Sequence, residues 1–140
     1  MKILDQLKNN TVAIISLVIA ISSLGYNTWR NENTEENRNV RLAAFEILLS
    51  LGELQVITDH SYYANDQNRG NPIEGWGRVL LIRDLCTLVS TSASQQAKKL
   101  QKNWSDNWET LANKQASVDS ITHSIEDTRI IILKILNALD

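Results

Sequence analysis

The sequence predicts an all-α protein: an N-terminal single-pass transmembrane helix followed by an antiparallel bundle of three or four helices. Three observations carry this. A charge-free run, Thr11–Leu24 (TVAIISLVIAISSL), stands near the N-terminus. From Val40 onward, apolar residues recur at spacings of three and four. The 140 residues include only five glycines and one proline, with no strand-like alternation and no paired hairpin turns.

The first element is the anchor. Its core of 14 residues makes ~21 Å of helix, short of a bilayer core of ~30 Å. Extension through Gly25, Tyr26, Asn27, Thr28 and Trp29 gives 19 residues and ~28 Å, which nearly spans. Tyr26 and Trp29 fall where an aromatic belt meets the headgroups, and Arg30 can snorkel beyond them. The expected organisation is therefore a tail (1–10), an anchor (11–29) in contact with lipid, a polar stalk (30–39) and a bundle domain (40–140).

Two rival readings stay open. In the first, Lys2 and Lys8 form a weakly basic leader, and Ala20/Ser22 or Ser23/Gly25 offers a small-x-small cleavage site. Asp5 and the aromatic belt oppose it. In the second, the run is a buried helix of a soluble protein. Orientation is nearly tied, with Lys2 and Lys8 on one side and Arg30, Arg38 and Arg41 on the other. The expectation is a bacterial inner-membrane protein whose bulk is periplasmic, with a cytoplasmic placement as the alternative.

The remaining ~110 residues suffice for one domain with its own core. A net charge of -2 gives no electrostatic case for nucleic acid. The single cysteine, Cys86, excludes an intrachain disulfide framework.

Arg30–Asn39 (RNENTEENRN) is polar all round and reads as a solvated stalk or a frayed joint. Asn33 or Thr34 could cap a new helix there, with Glu35 and Glu36 in its first turn. Val40, Ala44, Ile47, Leu51 and Leu54 form the next stripe, widened by Leu48 and fading near Tyr63. Residues 65–71 (NDQNRGN) are a loop. Asn71 then caps a helix with Pro72 at its first position and Glu74 at its third. Gly75 and Gly77 weaken that turn by up to ~1 kcal/mol each, so close packing beside Trp76 is the expected reason for them.

Val79–Val89 is apolar on nearly every face, which predicts a central helix. Ser92, with Gln95 three residues on, opens the following one. Its stripe is Ala97, Leu100, Trp104, Trp108 and Leu111; the last stripe is Val118, Ile121, Ile125, Ile132, Leu136 and Leu139. These are one long helix or two; a break near Asn113–Asp119 is favoured, because Asn113, Ser117 and Asp119 suit caps. Arg129–Leu136 (RIIILKIL) is apolar beyond one stripe, so its second face is expected to meet another subunit.

No catalytic constellation stands out, and no cofactor or metal is called for. Neither His60 nor His123 follows a Glu by three, as a bundle carboxylate site would need. Asp119 and Asp127 flank His123, a pattern more common on a solvated face. Cys86 in an apolar helix reads as a small buried hydrophobe. Arg83 and Asp84, being adjacent, point ~100° apart on a helix, so Arg83 is expected to seek Glu46 or Glu53 in a buried or half-buried pair. Trp104 and Trp108 are expected in the core, stacked one turn apart, with Trp76 nearer an interface.

The segments Ile21–Glu32 (ISSLGYNTWRNE), Thr34–Glu46 (TEENRNVRLAAFE), Leu51–Gln55 (LGELQ), Gly70–Trp76 (GNPIEGW) and Arg83–Leu85 (RDL) resemble a group of small, uncharacterised, N-terminally anchored proteobacterial proteins. The resemblance covers about two thirds of the chain and implies no activity and no catalytic residue. The expected role is a membrane-anchored interaction or scaffold subunit without catalysis, pairing with itself or with a membrane protein. Trp76, Arg83, Asp84, Tyr62 and Ile131 are the candidate contacts. The alternative is a tethered sensor with a ligand pocket around Tyr62, Trp76 and Arg83.

Overall fold

The computed structural model describes residues 10–139. They form four α-helices and one short 3-10 turn, with no strand among the described residues. The helices are α1 (Thr11–Tyr62), α2 (Pro72–Val89), α3 (Thr91–Asn107) and α4 (Gln115–Leu136), with the 3-10 turn at Trp108–Thr110. Lys2, Asp5 and Lys8, on which the orientation and leader readings draw, lie outside the described residues.

The chain divides into two compact units, one ending at Arg38 and one beginning at Asn39. The first unit is the leading part of α1. It contains an 18-residue window of mean hydropathy 1.6, none of it buried, long and apolar enough to cross a membrane. Two of its hydroxyls bond back within the helix: Ser16 donates to the Val12 carbonyl at 2.8 Å and Thr28 to that of Leu24 at 3.0 Å. Such back-bonding removes the polar cost that an apolar medium would impose. The rings of Tyr26 and Trp29 lie 6.2 Å apart.

One expectation fails here. No helix starts at Asn33 or Thr34, because α1 runs unbroken through 30–39. Thr34 donates its hydroxyl back to the Arg30 carbonyl at 2.8 Å instead of capping. The segment holds no Gly or Pro, and its Glu and Arg residues are good helix formers, so cap-compatible residues alone do not stop the helix.

In the second unit all four helices contribute to one buried cluster. Helix α1 buries Ala44, Ile47, Leu51, Leu54 and Ile57, α2 buries Val79, Ile82 and Cys86, α3 buries Ala93, Ala97, Leu100 and Trp104, and α4 buries Val118, Ile121, Ile125 and Ile132. Thr58 and Thr128 are also buried, and each bonds the carbonyl four residues earlier. Asn103 clamps α3 to α4 through the Ser120 hydroxyl at 2.9 Å.

Helix α2 is not central, as its composition suggested. Only Gly75, Val79, Ile82 and Cys86 are buried, all on one face, and Leu88 is 67% exposed. Asn71 caps α2 as expected, its side chain accepting from the Ile73 amide at 3.0 Å. The start of α3 is corrected from Ser92 to Ser90. Ser90 is extended and accepts from the Ala93 amide at 3.1 Å, while its own N–H closes α2 on the Cys86 carbonyl at 3.3 Å. One residue thus ends one helix and begins the next; Ser92 only bonds the Ser90 hydroxyl.

The favoured break before α4 is present, but begins earlier, with the turn from Trp108 to Lys114. Its cap position is Lys114, which makes no side-chain cap bond. Ser117, expected as a cap, is buried and shares a hydrogen bond with Thr110 at 2.8 Å. Asp119 lies within α4 and accepts from the Gln115 amide group at 2.8 Å.

Gly75 is explained by Trp104, not by its neighbour Trp76. A Cβ on Gly75 would overlap the six-membered ring of the Trp104 indole, whereas one on Gly77 would meet nothing. Gly75→Ala gains up to ~1 kcal/mol of helix propensity but overpacks the core, typically at ~1–3 kcal/mol. A net loss is expected in the wild type, and a gain once Trp104 is shortened to Leu. A double-mutant cycle by urea unfolding checks this; an equal effect in both backgrounds would refute the contact.

Candidate functional site

The candidate site is an open groove along α1, and it follows from how that helix is used. The core claims one side of it: Ala43, Ala44, Ile47, Ser50, Leu51, Leu54, Ile57, Thr58 and Ser61. On the opposite side Leu42, Phe45, Leu49 and Val56 are 62, 60, 58 and 52% exposed. Exposed apolar side chains are ordinary singly; four aligned on one face are a surface patch.

A groove of about 740 Å³ lies over the Leu49 and Val56 end of this face, away from Leu42 and Phe45. Leu48, Leu49, Gly52, Val56 and Ile57 line it from α1, and Gly52 leaves its middle open, with nothing within 4 Å of where a Cβ would stand. Its polar lining comes from Glu53 and His60 of α1, Asn68 and Arg69 of the following loop, and Glu74 and Arg78 of α2.

The loop is held by its own polar groups. Asn65 takes the left-handed conformation (φ 47°), which asparagine tolerates. The Asp66 carboxylate accepts from the amides of Asn68 at 3.0 Å and Arg69 at 3.2 Å. These bonds, that of Arg69 foremost, hold its carboxyl below the ordinary value of 3.8. A depressed carboxylate stabilises the fold above its ordinary range, and that contribution is lost as pH falls through the lowered value. Gly70 closes the loop, its amide donating to the Asp66 carbonyl at 2.7 Å.

Arg78 and Glu53 join α2 to α1 across the rim at 2.8 Å, both 40% exposed. Glu53 Oε2 is in ion-pair range of Arg78 yet lacks a well-aligned hydrogen bond, and His60 Nδ1 is buried with no partner. The ion pair is half in solvent, so it sets geometry more than stability.

The residues singled out from sequence lie elsewhere. Tyr62 is half-buried and edge-on to Tyr63 at 5.0 Å. Trp76 is half-buried and edge-on to Trp108 at 6.5 Å. Trp104 is fully buried, so Trp108 pairs across helices with Trp76, not along the chain with Trp104. Arg83 meets neither Glu46 nor Glu53. It folds back onto adjacent Asp84, its Nε and one terminal nitrogen donating at 3.0 and 2.8 Å. A long guanidinium stem spans the angle between neighbours, and Glu53 is occupied by Arg78. Ile131 is half-buried against the core, while Ile130 and Leu133 of the same run are exposed. Tyr26, Trp29 and Arg30 are exposed on α1. Tyr62, Trp76 and Arg83 are not brought together around the groove.

The chemistry on offer is limited. Burial pushes the Cys86 thiol up to about 11, which keeps it protonated and unreactive. His123 and Asp127 form an exposed contact at 3.6 Å. Among the described residues no group of three or more His, Cys, Asp or Glu side chains is placed to hold a metal. In the sequence the outward face of α1 is masked by the stronger core stripe on the opposite side of the same helix. The available signal was the seven-residue spacing of Leu42, Leu49 and Val56.

No family model, curated protein or solved structure matches this chain.

Proposed function

We propose that the chain is a single-pass bacterial inner-membrane protein whose helical bundle serves as a non-catalytic scaffold, its bulk in the periplasm. Residues 11–29 anchor it in lipid, and the outward face of α1 is its working surface. The observation that supports this best is a closed core with an aligned apolar face outside it. Such a face is costly to leave in water and suits a helix-in-groove partner.

A sensor is the second reading, favoured by the groove and the unpartnered Nδ1 of His60. Small-molecule sites usually enclose ~70–90% of the ligand surface. This groove is open to solvent and offers little enclosure, which favours the scaffold.

Fractionation with in vivo cross-linking tests the proposal. The full chain should stay with membranes through an alkaline wash and leave only in detergent, and a chain lacking residues 1–30 should be soluble. Cross-linked material should contain a distinct species at near-stoichiometric yield. A full chain released by the wash, or one that yields no cross-linked species, would defeat the reading.

A further inference from the structure

We propose that the outward face of α1 docks a second copy of this chain, with the two α1 helices parallel and in register. This rests on the scaffold reading and deepens it. Leu42, Leu49 and Val56 are spaced by seven, and Phe45 and Gly52 follow the first two by three. A repeat averaging 3.5 residues is what keeps a seam facing another helix as both wind around each other. The core of the same chain does not need it, because that core uses the opposite side of α1.

Charge selects the occupant and the direction. In this register Arg41 and Glu46 flank the seam, five residues apart; both are exposed, and one terminal nitrogen of Arg41 donates to the Leu139 carbonyl of its own chain at 2.6 Å, leaving the rest of the guanidinium to face outward. In a parallel pair those flanking positions meet across the interface, so Arg41 of each copy faces Glu46 of the other. Twofold symmetry makes the contact twice. Gly52 lies at the middle of the seam with open space above it, so two backbones can approach there.

The test uses the full chain in its own membranes. Phe45→Cys places a thiol on the seam, while the native Cys86 is buried and stays silent. Mild oxidation should give a disulfide-linked band at twice the chain mass. Lys99→Cys, exposed on α3, should not. In the Phe45→Cys background, Leu49→Glu should lower the linked fraction about ten-fold or more, since it buries a charge without a partner. Arg41→Glu and Glu46→Arg should each lower it several-fold, and their combination should restore it.

Failure of the combination to restore the linked fraction would overturn the pairing. Equal linking by Lys99→Cys, or a linked band joining this chain to a different protein, would also overturn it. The last result would leave the scaffold reading standing. Release of the chain from membranes would defeat the anchored reading, while the linking pattern would still decide the pairing.

Discussion

Trp104→Ala should cost about 3–5 kcal/mol, a large part of the ~5–15 kcal/mol that holds a typical domain folded. Trp104 is the largest fully buried side chain among the described residues. It lies on α3, within the cluster that every helix shares, and its ring fills the space that Gly75 of α2 leaves open. No small rearrangement fills that volume, because the glycine opposite has no side chain to swing in. Trp104→Phe should be much milder. The indole Nε1 is buried without a partner, and removing it relieves a penalty of about 1–3 kcal/mol that offsets the lost ring atoms. Urea unfolding followed by far-UV circular dichroism separates the two variants by their midpoints at constant slope. Equal losses for Phe and Ala would show that an aromatic ring at this position does not carry the packing against Gly75.

Gly70→Ala should cost about 3 kcal/mol or more, at the upper end for overpacking. Its Cβ would overlap the backbone of His60 and Ser61, the last turn of α1, and not the movable end of a side chain. Backbone cannot yield there without breaking the bond from the Asp66 amide to the His60 carbonyl. The wall that carries Asn68 and Arg69 would lift from the groove. Limited proteolysis should then cut between Tyr63 and Asn71 several-fold faster than in the wild type. An unchanged cleavage rate together with an unchanged urea midpoint would rule out this tight contact.

The parts legible in the sequence are those fixed by short-range chemistry. Asn71 followed by Pro72 announces the start of α2 because a cap acts over three residues. The buried positions of α1 follow from their spacing, since a helix exposes its period directly. Residues 30–39 misled because Asn and Thr suit a helix start yet are tolerated inside one, and only the neighbouring turns decide. The place of α2 misled because an apolar composition says how much could be buried, not how many helices are present to bury it. Arg83 misled because a choice among Glu46, Glu53 and Asp84 is settled by distance in space. Trp76 and Trp108 find each other from different helices, beyond any local rule.

The one-residue joint at Ser90 has a consequence for how the domain assembles. Almost no chain must be gathered to bring α2 against α3, so this hairpin costs little loop entropy and is the natural early contact. Helix α1 leaves the ribosome before that hairpin exists, yet it carries apolar residues on both its core side and its outward side. For the interval in which the last ~80 residues are being made, about 4–16 s at ~5–20 residues per second, neither side has its cover. A nascent chain in that state is exposed to aggregation until α2, α3 and α4 arrive to cover the core side of α1.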